Sequence, residues 1–113
     1  GFQCYVADGK LSLMWNQRSL DAPLGGPFNL ASYGLLLHLL CHETGYEPGE
    51  IIGNFGDTHI YLNQVEGVKE QLTREPRELP QLKLSNVDLL AGEFDADLIG
   101  YNPHPAIKMP LSN

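Results

Sequence analysis

The apolar positions change period along the chain, and each change marks an element. Residues 2–6 are aromatic and β-branched, and Leu11, Leu13 and Trp15 recur at every second position. Between them stands Ala7-Asp8-Gly9-Lys10, and two apolar runs around Asp-Gly predict a β-hairpin. Asn16-Gln17-Arg18-Ser19 then reads as a polar cluster at a strand end, and residues 20–27 as a loop marked by Pro23, Gly25, Gly26 and Pro27. A helix is predicted over 29–44, with Asn29 as its N-cap and Gly45 in the left-handed position beyond its end. Leu30, Tyr33, Leu36, Leu37, Leu40 and Cys41 cover almost its whole circumference, which predicts burial on most sides.

Beyond it, Glu47-Pro48-Gly49 reads as a turn and Ile51-Ile52 as the start of an extended segment that resumes at His59-Ile60-Tyr61-Leu62. Val65, Val68 and Leu72 put one apolar face on a second helix over 64–74, which Glu75-Pro76-Arg77 stops. Leu82-Lys83-Leu84 is a short strand, a helical turn is expected within 87–98, and residues 103–110 run extended. Mixed strands and helices imply an α/β or α+β sheet protein.

Length and composition narrow the class. The chain has 113 residues, 42% of them hydrophobic and 19% charged, as expected of one folded domain with a core. Seven Lys+Arg against 14 Asp+Glu give a net charge of −7, which excludes a surface that coats a nucleic-acid polymer. A local anion site remains open, because a few arginines can outweigh the global field. No apolar run approaches the ~20 residues that span a bilayer. Two cysteines, Cys4 and Cys41, are too few for a disulfide scaffold or a structural zinc site, and no export leader is read at the start; the expected setting is reducing and cytoplasmic. Both cysteines read as small core residues. The chain opens inside a strand without an initiator Met, which suggests a fragment, a processed chain or part of a larger enzyme.

Several polar groups have candidate chemistry. Arg18 beside Ser19 offers a charged fork and a hydroxyl to a phosphate, although Arg18 paired with Asp21 on the surface is the plainer alternative. The Asn29 amide has both a donor and an acceptor, enough to read a uracil edge, unless it only caps the helix. Asp57, His59 and Tyr61 share one face of a strand and suit a sugar hydroxyl; a merely polar outer face is the alternative. His38 and His42 are one helical turn apart, but in so apolar a helix they read as edge residues; His104 between two prolines reads as a packed loop residue. No metal site is expected.

Five motifs occur in order: Gln17-Arg18-Ser19-Leu20-Asp21, Leu24-Gly25-Gly26-Pro27-Phe28-Asn29, Gly56-Asp57-Thr58-His59-Ile60-Tyr61, Arg74-Glu75-Pro76-Arg77, and Gly100-Tyr101-Asn102-Pro103-His104-Pro105. From Phe2 to Asn113 the sequence resembles the C-terminal portion of a folate-dependent thymidylate synthase. The resemblance implies a large mixed β-sheet with flanking helices, packed back to back in a homodimer whose partner lends two arginines to the substrate phosphate. It implies a methyltransferase that converts dUMP to dTMP, with 5,10-methylenetetrahydrofolate as one-carbon donor and reductant and no metal. A cysteine thiolate that adds to C6 of the uracil makes C5 nucleophilic.

By the same resemblance Arg18 and Ser19 grip the dUMP phosphate, supported by Gln17; Asn29 reads the base; His59 and Tyr61 hold the ribose hydroxyl. Leu20 and Ile60 belong to the same nucleotide-contacting stretches. Asp21 is the catalytic acid group that meets the pterin and, through the loop backbone, the nucleotide. Leu24 and Gly25 line the folate cavity, and Ser112 contacts folate from a tail that closes over the ligands. The family's Pro-Cys-His nucleophile segment is expected upstream of Gly1, and neither Cys4 nor Cys41 matches it. Pro23 and Gly26 replace bulkier residues usual in that loop, and Asn16 replaces a usual Tyr. A deoxyuridylate hydroxymethylase of the same superfamily, or a non-catalytic nucleotide-binding remnant, is the alternative reading.

Overall fold

The computed structural model describes residues 1–112, so Asn113, the last residue of the expected closing tail, lies outside the described residues. Strands β1 (Phe2–Ala7) and β2 (Lys10–Asp21) form the expected hairpin. Its two-residue turn places Asp8 at φ 53° and Gly9 at φ 75°, the left-handed pair that matches strand twist. Helix α1 (Gly25–Thr44) follows, then β3 (Glu47–His59), which pairs with β2 in parallel. A parallel neighbour needs such a crossover, and α1 supplies it. The sheet order is β1-β2-β3, a mixed sheet of α+β type. A 3-10 turn (Leu62–Gln64), α2 (Val65–Leu72) and an antiparallel ribbon of β4 (Gln81–Asp88) and β5 (Glu93–Ile99) complete the described elements.

The core lies between the sheet and α1. Leu11, Leu13 and Trp15 point from alternate positions of β2 against Leu37 and Cys41, with Tyr33, Leu36 and Leu40 around them. Trp15 stacks on Tyr33 with ring centroids 4.2 Å apart. Cys41 belongs to this core, and burial, assisted by the nearby Cys4, pushes its thiol pKa up. Cys4 itself is exposed within this chain, contrary to its reading as a core residue, because β1 is an edge strand that α1 does not cover.

Several elements differ from expectation. β2 runs through the polar cluster to Asp21, because a neighbouring strand pairs with it along that length. Helix α1 begins at Gly25, not Asn29; Pro27 lies in the first turn, where a missing N–H costs nothing. Asn29 is therefore no N-cap. The flanking Leu24 has no side-chain cap either, and its N–H donates to Asp21 Oδ1 at 3.2 Å. Nor is α1 buried all round: Leu37, Leu39 and Cys41 are buried, whereas Phe28 and Leu30 are exposed. Glu47-Pro48-Gly49 is not a turn but the start of β3, an edge strand in this sheet that tolerates proline. The second helix is shorter than predicted, ending at Leu72. The helical turn expected within 87–98 is instead a tight turn and β5, in which Phe94, Ala96 and Leu98 alternate with acidic residues at the strand period.

Candidate active site

Parallel pairing brings the carboxyl ends of β2 and β3 to one edge, where open α/β sheets bind ligands. Ser19 lies opposite Asp57, Leu20 opposite Thr58, and Asp21 opposite His59. The N–H of Ala22 donates to the His59 carbonyl oxygen at 3.0 Å, which ties the two strand ends together. Helix α1 starts directly above this edge.

One relay sets the orientation of the Asn29 side chain. The Trp15 indole is a donor only, and its Nε1–H donates to Gln17 Oε1 at 3.2 Å. Gln17 must then present Nε2 on its other side. That group donates to the Ser19 carbonyl oxygen at 3.1 Å and to Asn29 Oδ1 at 2.9 Å. The Asn29 amino group is left facing away from Gln17, without a hydrogen bond among the described residues. Gly25 permits this approach: a Cβ there would stand 3.2 Å from Asn29 Oδ1.

Asp21 is held by other partners. Besides Leu24, it accepts from Gln64 Nε2 at 3.3 Å and 3.2 Å to its two carboxylate oxygens. The Arg18–Asp21 ion pair is not formed; Arg18 is exposed and makes no ion pair or side-chain hydrogen bond among the described residues. The strand period puts Arg18 and Leu20 on the face opposite Gln17, Ser19 and Asp21. Leu20 is buried, so only its backbone is available to a ligand. His59 Nδ1 is 3.3 Å from Asp57 Oδ1, and its ring meets Tyr61 edge-on at a centroid distance of 5.0 Å. Ile60, between them, is exposed. The strand thus brings Asp57, His59 and Tyr61 together as the alternation predicts, although β3 itself ends at His59.

The terminal segment is strapped across α2. Arg77 Nη1 donates to the carbonyl oxygens of Asn102 and Pro103, and Arg74 Nη1 to that of Pro105 at 2.6 Å. His104 Nε2 meets the Glu75 carbonyl oxygen at 2.8 Å, as a packed loop residue should. Met109 lies so close to Gly67 that a Cβ there would stand 2.9 Å from its Cγ. Ser112 Oγ accepts from Asn63 Nδ2 at 2.9 Å and is 3.1 Å from Asn63 Oδ1. Asn63 and the fully buried Gln64 escape the sequence reading, because Asn and Gln before a helix look like ordinary turn residues. The spacing Tyr61-to-Gln64 held the available signal: Gln64 Oε1 accepts from the Tyr61 N–H at 3.0 Å, as the third residue of a capping box does.

His38 and His42 line a small concavity between α1 and β4 with Cys41, and no cluster of metal-ligating side chains occurs among the described residues. On the opposite face of the sheet a concavity of about 620 Å³ is lined by residues including Tyr5, Met14 and Ile52, and none of the candidate site residues.

The thymidylate synthase family model matches residues 1–113. The chain belongs to the thymidylate synthase family. It is 55% identical over 114 residues to a thymidylate synthase of Listeria monocytogenes serotype 4a (strain HCC23), an alignment covering 98% of this chain and 36% of the relative. A thymidylate synthase of Corynebacterium aurimucosum is 54% identical, with 98% of this chain and 42% of the relative covered. That of Listeria innocua serovar 6a is 54% identical, with 98% and 36% covered. The chain thus spans 36–42% of the length of these relatives. No helix among the described residues is long and apolar enough to cross a membrane.

Proposed function

We propose that the complete protein methylates dUMP to dTMP with 5,10-methylenetetrahydrofolate, and that residues 1–113 are the C-terminal portion of its single catalytic domain. The observation that carries this reading is the Trp15–Gln17–Asn29 relay, which presents a donor and an acceptor at the carboxyl ends of two parallel strands. The Asn29 amino group donates to O4 of uracil, and the second lone pair of Oδ1 accepts from N3–H. His59 and Tyr61 take the ribose hydroxyl from the adjacent strand end. Ser19 and Arg18 take the phosphate; the Arg18 side chain swings to it from the strand's other face, which its length and exposure allow. Supporting arginines come from a second copy.

The folate-side residues suit their ligand. Asp21 is a carboxylate whose direction is set by two protein donors, the Leu24 N–H and Gln64 Nε2, and it remains able to accept from a pterin N–H. Leu24 and Gly25 stand beside it, and a Cβ at Gly25 would lie 3.8 Å from the Asp21 Cβ. When bound, the folate supplies the one-carbon unit and the hydride. The chain's own residues orient the base, anchor the sugar and phosphate, position Asp21, and exclude water with the tail that ends near Ser112. The nucleophilic thiolate belongs to another part of the complete protein, since Cys41 is in the core and Cys4 is on β1. A homodimer and a cytoplasmic setting complete the proposal; the exposed Tyr5 and Ile52 on the outer sheet face support the former.

The test uses the complete protein. Calorimetry should find dUMP binding well above dCMP binding, and a spectrophotometric assay should find dihydrofolate and dTMP in equal amounts. Formation of hydroxymethyl-dUMP without dihydrofolate would select the hydroxymethylase instead, and absence of dUMP binding would reject the assignment.

A further inference from the structure

Gln64 is fully buried, yet it is neither in the apolar core nor among the residues assigned to a ligand. Its hydrogen-bonding capacity is used by three separate segments. Oε1 accepts from the Tyr61 N–H at 3.0 Å, which fixes the amide orientation. Nε2 then faces two acceptors. It donates to the Asp21 carboxylate at the end of β2 and to the Pro110 carbonyl oxygen in the terminal segment at 3.2 Å. One primary amide therefore bridges the group assigned to the pterin, the backbone of the residue assigned to the ribose, and the tail.

We propose that Gln64 is a positioning residue that couples the seating of the tail to the orientation of the Asp21 carboxylate. The inference rests on the folate-binding reading of Asp21. Its physical basis is the pair of hydrogens on a single nitrogen. With the tail seated, one hydrogen is committed to Pro110 and the other to Asp21, so the carboxylate has one preferred direction. With the tail lifted, Nε2 is no longer held by Pro110 and is free to turn, so the direction of its bond to Asp21 is no longer fixed. Burial makes the choice costly to evade, because Gln64 is itself fully buried and its Nε2 hydrogens have no water to turn to in place of these two acceptors. A ligand that needs Asp21 in this direction binds better when the tail is down, and by reciprocity it holds the tail down.

The experiment uses the complete protein and two variants, Gln64→Met, which keeps length and removes both donors, and Gln64→Glu, which keeps shape and sets a carboxylate against two acceptors. The readouts are dUMP affinity by calorimetry, affinity of a non-reacting folate analogue for the dUMP complex, and carboxypeptidase cleavage of the tail in that complex. Both variants should bind dUMP within twofold of the parent, bind the analogue at least tenfold more weakly, and lose tail protection. Gln64→Met should add less than half of its full effect on analogue binding when residues 110–113 are deleted, because the two changes break one linkage. A residue needed only for folding would weaken dUMP binding as well, or would act additively with the deletion; either result overturns the proposal. Unchanged analogue binding in both variants also overturns it, while leaving the dUMP assignment intact. Failure of the unsubstituted protein to bind the analogue in the presence of dUMP overturns both.

Discussion

Gln17 donates to Asn29 across 2.9 Å, and Trp15 decides which way round that bond is made. A core indole thereby fixes the polarity of an amide assigned to base recognition. Asn29→Asp keeps an acceptor toward Gln17 but replaces the outward donor with an oxygen. The variant should shift preference from dUMP toward dCMP by roughly ten- to hundredfold, the worth of one or two recognition hydrogen bonds. Competition binding measures this, and an unaltered preference would contradict the role of Asn29. Gln17→Leu should erode the discrimination without reversing it, because Asn29 is then free to turn over.

Arg18 has no ion pair or side-chain hydrogen bond among the described residues, so none of them competes for its guanidinium. Arg18→Ala should weaken dUMP binding by about tenfold and leave binding of the unphosphorylated nucleoside unchanged. Calorimetry with the two ligands separates a phosphate contact from a general loss of structure.

Leu13 is fully buried beneath α1, at the centre of the cluster formed with Leu11, Trp15, Leu37 and Cys41. Leu13→Ala should cost about 3 kcal/mol through lost transfer energy and the cavity left behind. Urea denaturation would register this as a lower midpoint with an unchanged slope.

Cys41 gives a pH prediction of definite sign. Its thiol pKa is raised above the ordinary 9.0 by burial and by Cys4. In the unfolded chain the thiol ionises near that ordinary value, whereas in the fold it stays protonated to higher pH. The contribution to stability is therefore complete below pH 9.0 and is lost as pH rises through the folded-state value. Cys41→Ala should flatten this alkaline limb in denaturation measurements, and a native-state thiol reagent should label Cys41 only on unfolding.

The sequence was most readable where local chemistry and tertiary structure agreed. Asp8-Gly9 made its hairpin, and Leu11, Leu13 and Trp15 faced the core as their spacing required. The misreadings arose where long-range pairing overrode local signals or where an element began earlier than its local signal. Pro48 looked like a turn residue but sits where an edge strand needs no donor, and Asn29 looked like a cap but lies inside a helix that starts at two glycines. For the site, the face shared by Asp57, His59 and Tyr61 followed from strand period alone. The bonds from Gln17 to Asn29 and from Gln64 to Asp21 cross 12 and 43 residues, and no local pattern announces them.

Gly67 shows how closely the tail is seated, and it supports a final prediction. Glycine inside a helix costs about 1 kcal/mol relative to alanine, so its presence in α2 needs a reason. Met109 supplies one, since a Cβ at 67 would approach its Cγ, Sδ and Cε within 2.9 to 3.2 Å. Gly67→Ala should therefore strengthen α2 while pushing the segment that carries Pro110 and Ser112 off its seat. Ser112→Ala removes the contact with Asn63 directly, without touching the helix. Both variants should raise the KM for methylenetetrahydrofolate several-fold and leave dUMP affinity unchanged, but only Gly67→Ala should also raise the melting temperature. Steady-state kinetics with folate as the varied substrate tests the first claim, and calorimetric melting the second. An unchanged folate KM in Gly67→Ala would mean that Met109 moves aside without displacing the tail, and that the close packing at residue 67 is a matter of stability alone.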